Sequence, residues 1–372
     1  MLVGVPKEIK DNEFRVGLIP ATAQELKLRG HQVLVEAGAG VGAGLSDTEY
    51  AAAGAEIVGE ATEVFERADL IVKVKEPLAS ERSQLRPGQI LFTYLHLAAD
   101  RTQTNELLAC GVTAIAYETV TNAEGFLPLL MPMSEVAGRM APQVGASALQ
   151  KATGGRGVLL GGVPGVPPSD VLILGSGVVG SNAALIAVGM GASVTVAGKN
   201  LDQLRRISSD FGARVRTVFA ARSAVEILCE RADLVIGAVL VPGAAAPKLI
   251  SANTVKRMKP GAVIVDVSID QGGTAETSRP TSHSEPTYVS DNIVHYCVTN
   301  MPGAVARTST FALSNVTAPF VLVLADKGYA HALTSDPYLR SGLNIHDGQV
   351  THKAVADAFG MPYVPASEAL KN

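Results

Sequence analysis

A glycine motif between a strand-like run and a helical pattern constrains the fold of this chain more than any other feature. The motif is GxGxxG at Gly175–Gly180; it follows the apolar run Val171–Leu174, and a second strand-like run comes at Ser193–Val196. Between the two runs, apolar residues recur at helical spacing at Val179, Ala183, Ile186 and Met190. In such a unit the first glycine permits a tight turn, the second lets the backbone approach a pyrophosphate, and the third lets helix and strand pack closely. The sequence therefore predicts a dinucleotide-binding βαβ unit.

The end of the second strand lacks a residue that such units normally carry. An Asp or Glu about 20 residues past the motif usually accepts hydrogen bonds from the ribose 2′-hydroxyl of NAD. Here the strand ends at Gly198, followed by Lys199 and Asn200. Because no carboxylate would repel a 2′-phosphate and Lys199 is adjacent, we expect relaxed cofactor choice or a preference for NADP. The alternative for Lys199 is an ordinary solvated surface lysine.

Strand-like and helix-like segments alternate along nearly the whole chain, whose 372 residues favour two domains. Further strands are predicted at Leu2–Val5, His31–Glu36, Leu70–Val74, Ile90–Leu95, Val112–Tyr117, Arg214–Val218, Leu234–Ala238 and Val263–Val267. Helical patterns lie at Pro20–Gly30, Ser134–Lys151 and Thr308–Lys327, and the Gly/Pro-rich passage Gly154–Pro168 fits either a linker or a packed crossover. The alternation predicts an α/β fold with buried parallel strands.

Composition excludes several function classes. The formal charge of −4 argues against a non-specific nucleic-acid binder, which needs a basic surface to neutralise phosphates. Leu234–Pro247 stands out as the longest uncharged run and is too short for a membrane span, and the N-terminal apolar run meets Lys7 at once, which leaves no room for a secretory signal. The three cysteines are far apart, as expected of a reduced cytosolic protein, and the histidines show no metal-ligand spacing. We expect no metal and no membrane or nucleic-acid partner.

Two later strands end in loops rich in small or polar residues, Val239–Gly243 and Ser268–Gly273. Ligands of open α/β sheets bind outside the carboxyl ends of the strands, so we expect both loops to border a nicotinamide. Asp270 in the second loop is therefore a candidate for acid–base work or water activation. Its alternative is a structural aspartate that caps the loop.

Segments spread in order over nearly the whole chain carry a resemblance to a family. They are MLVGVPKEIKDNEFRVGLIP at the start, VKVKEP at 72–77, LFTYLHLAAD at 91–100, AYETV at 116–120, PMSEVAGR at 132–139, GGRGVLLGGVPGV at 154–166, IGAVLVPG at 236–243, VDVSIDQGG at 265–273 and TNMPGAV at 299–305. The sequence resembles bacterial alanine dehydrogenases of the alanine dehydrogenase/transhydrogenase N-terminal family. The resemblance implies reversible oxidative deamination of L-alanine to pyruvate and ammonium, with hydride transfer to NAD.

The resemblance also implies roles for residues near the substrate. Arg15 matches the carboxylate-binding arginine, a task that suits a guanidinium fork, and Lys75 matches the lysine that polarises the substrate carbonyl oxygen. His96 and Asp270 match the catalytic histidine and aspartate. Further substrate-pocket candidates are Tyr94, which alternatively packs in the core, and Asn300.

The cofactor would be held by residues spread over the second half of the chain. The set implied by the motif and the resemblance is Ser134, Gly175, Gly177, Val178, Val179, Gly180, Gly198, Val239, Leu240, Val267, Ser268, Ile269, Asp270, Arg279, Val298, Thr299, Asn300 and Met301. At Gly198 the sequence departs from the family, whose NAD-using members commonly carry Asp. The departure leaves the reaction class intact and makes NADP a possible cofactor.

The implied architecture is two Rossmann-like domains, with the dinucleotide domain inserted into a discontinuous catalytic domain. The catalytic domain would comprise residues 1–128 and 307–372, and the dinucleotide domain residues 129–306. The resemblance further implies a cytoplasmic homo-oligomer, a hexamer. Two alternatives stay open: the NAD-binding component of a transhydrogenase, and a non-catalytic nucleotide-binding protein.

Overall fold

The strands of the protein alternate with helices along the chain. The computed structural model describes residues 1–239 and 246–371. In these ranges the strands are β1 (Leu2–Val5), β2 (Gln32–Glu36), β3 (Glu56–Val58), β4 (Leu70–Val72), β5 (Ile90–Thr93), β6 (Thr113–Ala116), β7 (Asp170–Leu174), β8 (Ser193–Gly198), β9 (Val215–Phe219), β10 (Leu234–Gly237), β11 (Val263–Asp266), β12 (Thr287–Ser290), β13 (Ile293–Tyr296), β14 (Leu343–His346) and β15 (Gln349–Val350).

Most of the helices connect successive strands, as parallel sheets require, and α13 and α14 follow the last strand. In the same ranges they are α1 (Pro20–Leu28), α2 (Asp47–Ala52), α3 (Ala61–Arg67), α4 (Ala79–Arg82), α5 (Arg101–Ala109), α6 (Met131–Ala148), α7 (Val178–Gly189), α8 (Leu201–Phe211), α9 (Arg222–Arg231), α10 (Ala252–Arg257), α11 (Ala306–Ser335), α12 (Pro337–Arg340), α13 (Lys353–Phe359) and α14 (Ala366–Ala369). Short 3₁₀ turns follow several strands, among them Leu97–Ala99, Tyr117–Thr119 and Val267–Gln271.

The chain divides into two compact units. Unit 1 comprises Met1–Met133 and the stretch from Gly303 onward, and unit 2 comprises Ser134–Pro302. Each unit is built on one sheet, so the prediction of an α/β fold with two Rossmann-like parallel sheets is confirmed.

Unit 1 contains an eight-stranded sheet in the order β15-β14-β6-β5-β4-β1-β2-β3. Strands β1 to β6 run parallel and lie in the doubly wound order 3-2-1-4-5-6, while β14 and β15 add antiparallel strands at one edge. The buried residues Leu34, Ile71, Leu91 and Ala114 belong to one hydrophobic cluster of this sheet. The strand order reverses between β1 and β4, which makes the carboxyl ends of these strands the expected ligand-binding edge.

Unit 2 contains a seven-stranded sheet in the order β12-β13-β11-β10-β7-β8-β9. Strands β7 to β11 and β13 are parallel and again follow the order 3-2-1-4-5-6, with β12 antiparallel at the edge. Its core includes Leu172, Val235 and Ile264. The order reverses between β7 and β10, so the glycine motif after β7 lies at the switch point of the sheet.

The Gly/Pro-rich passage Gly154–Pro168 is a mostly exposed crossover that is held to unit 2 at a few points. Leu160 is buried, and its carbonyl accepts a hydrogen bond from Ser169 N at 2.9 Å. Val163 and Val166 form an isolated antiparallel bridge. Backbone pairing and a buried leucine leave no role as a free linker.

Helix α11 forms part of a long apolar segment. Met301–Ser335 is long and apolar enough to cross a membrane by length and composition, with a mean hydropathy of 1.5. It contains a longer uncharged run than Leu234–Pro247, so the choice of that run as the longest was wrong. Leu313, Val321 and Leu324 on α11 are nevertheless buried, and the helix packs beside α1 in unit 1, as core helices do.

The buried face of α7 differs from the predicted one. Met190 lies just beyond the helix and is exposed, and Ile186 is only partly buried. Ala187 is fully buried, together with the predicted Ala183. Because α7 is apolar on nearly all sides, spacing alone does not identify its packed face.

Candidate functional site

In unit 1, charged side chains gather where the parallel strands end. Glu8 follows β1, Lys73 and Lys75 follow β4, His96 follows β5 and Glu118 follows β6. All four strands are neighbours in the sheet, and β1 and β4 flank its switch point. Of the residues predicted to act on the substrate, Arg15, Lys75, Tyr94 and His96 belong to this unit and are mostly placed by one sheet edge. The further candidates Asn300 and Asp270 belong to unit 2.

Arg15 is a buried cation paired with a buried anion. Its Nε donates to Glu13 Oε1 at 2.6 Å and its Nη2 to Glu13 Oε2 at 2.5 Å, a bidentate pair. The Nη1 group contacts Met133 Sδ at 3.1 Å. Burial lowers the pKa of Arg15, but the hydrogen bonds and charge of Glu13 outweigh burial and raise the pKa overall. The guanidinium is thus permanently charged and fixed in plane, as recognition of a carboxylate requires.

A close backbone approach places Arg15 near the end of β4. A Cβ added at Gly17 would lie 2.5 Å from Val72 O and 3.0 Å from Lys73 Cα. Only glycine permits this approach without displacing the strand end. Val16 N donates to Thr310 Oγ1 of α11 at 3.3 Å, which fixes the same segment from the other side.

Lys73, which the sequence reasoning missed, is fully buried in an ionic network that also contacts the backbone of Lys75. Its Nζ lies 3.2 Å from Glu8 Oε2 and 2.6 Å from Glu81 Oε1. Glu8 Oε1 also accepts from Val74 N at 2.7 Å and from Lys75 N at 3.4 Å. Burial raises the pKa of Glu8, while for Lys73 burial opposes a rise in pKa that the two carboxylates nonetheless produce. The network anchors the backbone that carries Lys75.

His96 presents a half-exposed imidazole in an unusual backbone conformation. Its side chain is 48% exposed, so the ring is accessible to a ligand. The residue has φ 50 and ψ 37, in the left-handed region. The ring stacks on Tyr94 with a centroid distance of 5.9 Å, and the buried Tyr94 hydroxyl donates to Leu129 O at 2.6 Å. Tyr94 thus packs in the core and also supports the face of the His96 ring.

In unit 2, the glycine motif forms a cradle that fits a pyrophosphate. A Cβ at Gly175, which has φ 121, would lie 2.3 Å from Ala238 O, and a Cβ at Gly180 would lie 1.9 Å from Gly175 O. At Gly177, the N-cap of α7, nothing lies within 4 Å of an added Cβ. The turn is closed toward the sheet and open at the helix N-terminus, where N–H groups and the helix dipole favour an anion.

The space beside Gly198, where the missing ribose-binding carboxylate would begin, is occupied by Ser176, whose uncharged side chain pairs with Gln203. Ser176 Oγ donates to Gln203 Oε1 at 2.8 Å. A Cβ at Gly198 would lie 2.5 Å from Ser176 Oγ and 2.9 Å from Ser176 Cβ. The exposed Lys199 follows directly, and Asn200 caps α8. An aspartate at position 198 would collide with Ser176 as the side chain lies here.

The loops after β10 and β11 are tied together. Ser268 Oγ donates to Val239 O at 2.7 Å, which joins the two strand ends. Asp270 lies in the 3₁₀ turn Val267–Gln271 with an exposed side chain. Leu240, also predicted to contact the cofactor, lies outside the described residues.

Asp266, missed by sequence reasoning, anchors the segment beyond this turn. It is fully buried at the end of β11, and its Oδ2 accepts from Thr274 N at 2.7 Å and from Ser278 Oγ at 2.6 Å. The strand pattern VIVD gives no signal that the final aspartate turns inward.

The remaining predicted cofactor residues lie at other points of unit 2. Arg279 stacks its guanidinium 4.1 Å above the ring of Tyr288. Asn300 has φ 60, and His283 Nε2 donates to its carbonyl at 3.1 Å. Among the other members of the set, Val178 is exposed in the first turn of α7, and these are buried or half-buried: Ser134, Val179, Val239, Val267, Ser268, Ile269, Val298, Thr299, Asn300 and Met301.

The residues that the structure describes contain no cluster of three or more His, Cys, Asp or Glu side chains able to hold a metal ion. Cys110, Cys229 and Cys297 are free thiols. Burial raises the pKa of Cys229 to about 12 and that of Cys297 to about 11, so both are unreactive at neutral pH.

The two sheets and the glycine cradle define a Rossmann-type dinucleotide-binding protein with a second unit of the same topology. Two family models match the chain: alanine dehydrogenase/PNT, N-terminal domain, over residues 4–137, and alanine dehydrogenase/PNT, C-terminal domain, over residues 141–353. The chain belongs to the alanine dehydrogenase/PNT family.

Known relatives match the chain over its whole length. A protein of Halomonas elongata named alanine dehydrogenase is 57% identical over 370 residues, which cover 100% of both chains. A solved L-alanine dehydrogenase matches with a TM-score of 0.94 at 50% identity, over 97% of this chain and 99% of that one. A solved transhydrogenase from Sinorhizobium meliloti gives a TM-score of 0.82 at 24% identity, over 95% of this chain and 100% of that one, and this likeness shows the fold alone.

Proposed function

We propose that this protein catalyses the reversible oxidative deamination of L-alanine to pyruvate and ammonium. The observation that carries the proposal is the match, from end to end at 57% identity, to a relative named alanine dehydrogenase. The charged strand ends of unit 1 and the glycine cradle of unit 2 supply the two kinds of binding chemistry that the reaction needs. When bound, the nicotinamide accepts the hydride from Cα of alanine.

Arg15 binds the substrate carboxylate. Its charge is permanent, and Glu13 holds the plane of the guanidinium through two hydrogen bonds of 2.6 and 2.5 Å. A guanidinium held in this way orients a carboxylate before chemistry starts, which lowers the entropy cost of reaching the reactive geometry. Lys75 contacts the oxygen of pyruvate, and the buried network of Lys73, Glu8 and Glu81 keeps its backbone in place.

His96 and Asp270 exchange the protons. Loss of hydride and a proton from alanine leaves an imine, water then adds to its carbon, and loss of ammonium gives pyruvate. The half-exposed imidazole of His96 takes up and returns protons in these steps, and the exposed Asp270 carboxylate activates the water. Replacement of His96 by Gln is expected to lower kcat at least 100-fold, while unchanged turnover would contradict this role.

The dinucleotide is held by the cradle Gly175–Gly180 and the loops after β10 and β11. Gly198 supports relaxed cofactor choice or a preference for NADP, because no carboxylate lies at the end of β8 to repel a 2′-phosphate. Lys199 is exposed beside this position and adds positive charge. The ratio of kcat/KM for NAD and NADP tests this proposal, and a strong preference for NAD would overturn it.

We also propose the larger organisation that the family resemblance implies. Residues 1–128 and 307–372 form the catalytic domain, residues 129–306 form the inserted dinucleotide domain, and the protein acts in the cytoplasm as a homohexamer. Light scattering on the purified protein is expected to give a particle of six times the 38.5 kDa chain mass. A monomeric particle would contradict the assembly.

An amino-acid panel assayed with both NAD and NADP tests the reaction. The expected result is reduction of the cofactor by L-alanine, with one pyruvate and one ammonium formed per cofactor reduced. A transhydrogenase component would instead pass hydride between nucleotides without consuming alanine, and a non-catalytic binding protein would bind the cofactor without turnover. The identity of the full-length relative favours the deaminating enzyme over both alternatives.

A further inference from the structure

Glu118 lies where it contacts the residue proposed for proton exchange. It follows β6, and its side chain is only 14% exposed. Its Oε1 accepts from His96 N at 2.6 Å and from Leu95 N at 3.2 Å, and its Oε2 lies 3.3 Å from the same Leu95 N. Its Oε1 also lies 3.9 Å from His96 Nδ1. One carboxylate thus faces both the backbone and the ring of His96.

The backbone of His96 needs such an anchor. Its φ of 50 lies in the left-handed region, which a residue with a Cβ enters at an energetic cost. Two N–H groups directed at one carboxylate offset that cost, because hydrogen bonds to a charged acceptor are stronger than those to a neutral one. Removal of Glu118 would take away the hydrogen bonds at Leu95 N and His96 N that offset this cost.

The anchor itself is held from the opposite side. Asn344 Nδ2 donates to Thr119 Oγ1 at 2.7 Å, and Ser341 Oγ donates to Thr119 O at 2.8 Å. These bonds tie the turn that carries Glu118 to the segment that leads into β14. The backbone from which the Glu118 side chain extends toward His96 is therefore held in place on the neighbouring residue Thr119.

The position of Glu118 also bears on the two nitrogens of the ring. At 3.9 Å the Nδ1 contact is longer than a hydrogen bond, so it places Nδ1 on the side of the ring that faces the carboxylate. The other ring nitrogen, Nε2, then lies on the edge of the ring away from Nδ1. The stacked ring of Tyr94 limits rotation away from this arrangement.

We propose that Glu118 is a positioning residue for His96, holding its backbone in the left-handed conformation and its ring with Nδ1 toward the carboxylate. The inference rests on the proposed function, since it acts through His96. Glu118 does not itself touch the substrate in this account. Its removal should therefore lower kcat while leaving cofactor binding intact.

A double-mutant cycle tests the proposal on the full-length protein. Glu118→Gln keeps an oxygen for the backbone N–H groups and removes the charge, and kcat is expected to fall about 10-fold. Glu118→Ala removes both contacts, and kcat is expected to fall about 100-fold. The KM for alanine and the Kd of the reduced cofactor should change less than about threefold in either variant.

The decisive comparison is Glu118→Gln in the His96→Gln background. If Glu118 acts through His96, its replacement has no further effect on kcat there. Glu106→Gln is the matched control, because Glu106 pairs with Arg82 at 2.5 Å elsewhere in unit 1 and its loss should leave kcat unchanged. A crystal structure of Glu118→Ala gives a second measurement, in which φ of His96 is expected to leave the left-handed region.

The outcomes separate the inference from the proposed function. Full turnover in His96→Gln would overturn the role of His96 and the inference with it. A slow His96→Gln protein with unchanged Glu118→Gln kcat, or with additive losses in the double variant, would overturn the inference alone. If the double variant is too slow to assay, an unmoved His96 in the Glu118→Ala structure would overturn it.

Discussion

The two units share one strand order and differ in the segment that connects their first strand to the next helix. In unit 2, β7 passes to α7 through Gly175–Gly177, a three-residue turn in which Ser176 supplies the one side chain, and that side chain is uncharged. In unit 1, β1 passes to α1 through a long segment that carries Glu8, Glu13 and Arg15. The same position in the same topology therefore presents backbone N–H groups in one unit and charged side chains in the other.

Under the proposed function, the difference lets one fold serve two ligands. A helix N-terminus that follows a glycine turn can bind a phosphate group whatever molecule carries it, because backbone N–H groups recognise charge rather than shape. A small carboxylic acid needs a planar fork and defined proton donors, which only side chains supply. In unit 1 these side chains are held by carboxylates: Glu13 holds Arg15, Glu8 holds the backbone at Lys75, and Glu118 holds the backbone at His96.

The largest effect is expected when the guanidinium of Arg15 is removed from unit 1. Arg15→Lys keeps the charge but cannot bind Glu13 and a substrate carboxylate with parallel pairs of hydrogen bonds. We expect kcat/KM for alanine to fall about 10³-fold, with the Kd of the reduced cofactor unchanged in a fluorescence titration. Arg29→Lys, at an exposed surface pair, is the control. A loss of less than about threefold in Arg15→Lys would contradict the assignment of unit 1 to the substrate.

The corresponding change in unit 2 is Gly180→Ala. The added Cβ would lie 1.9 Å from Gly175 O, so the cradle must open. The Kd of the reduced cofactor should rise about 100-fold, measured by calorimetric titration. Gly189→Ala on the same helix meets no atom within 4 Å and should bind the cofactor normally. Equal affinities in the two variants would show that the cradle does not hold the dinucleotide.

A smaller effect is expected at the end of β8 in unit 2, where the ribose of the cofactor is predicted to bind. Gly198→Asp introduces a carboxylate that repels a 2′-phosphate, so kcat/KM with NADP should fall about 10-fold. The new carboxylate should also raise kcat/KM with NAD, but the full rise should appear only together with Ser176→Ala, because Ser176 Oγ lies 2.5 Å from the new Cβ. Steady-state rates of the single and double variants with both cofactors measure how far the two substitutions depend on each other. Additive effects of the two substitutions would show that Ser176 is not in the way.

The smallest predicted effect concerns acid stability near Lys75. Burial opposes ionisation of Glu76, but Lys75 and Lys10 outweigh burial and lower its pKa below the usual 4.5. A lowered pKa contributes stability that is present above the usual value and is lost as pH falls through the folded-state pKa. Between pH 6 and pH 3, the Tm of Glu76→Gln should therefore fall about 2 °C less than that of the unchanged protein. An equal fall would contradict the ion pairing.

Much of the fold follows from local patterns in the sequence. The strands at Leu70–Val74, Ile90–Leu95 and Val112–Tyr117 are confirmed with ends one or two residues shorter, because buried parallel strands read as short apolar runs. The edge strand β12 was not predicted, since Thr287–Ser290 is half polar and none of its residues is fully buried. Its neighbour β13 (Ile293–Tyr296) was also not predicted, although it is buried throughout. Met190 was misplaced because α7 is apolar on nearly all sides, and the small residues Ala183, Ala184 and Ala187 form its buried face.

The residues that hold the candidate site in place could not be predicted from local sequence patterns. Lys73 differs from Lys75 by two positions, and nothing nearby in the sequence shows that one is fully buried with Glu8 and Glu81. Glu118 reaches His96 from another strand, and no spacing rule links strands that become neighbours only in the folded sheet. The residues that touch ligands can be proposed from family motifs, whereas the carboxylates that hold them emerge from the three-dimensional pairing of β1, β4, β5 and β6.

A crystal structure of the protein with pyruvate and the reduced cofactor tests the contrast between the two units most directly. We expect the pyruvate carboxylate on the guanidinium of Arg15 and the dinucleotide pyrophosphate at the turn Gly175–Gly180. Pyruvate bound away from Arg15, or a pyrophosphate held by the charged strand ends of unit 1, would contradict this division of labour.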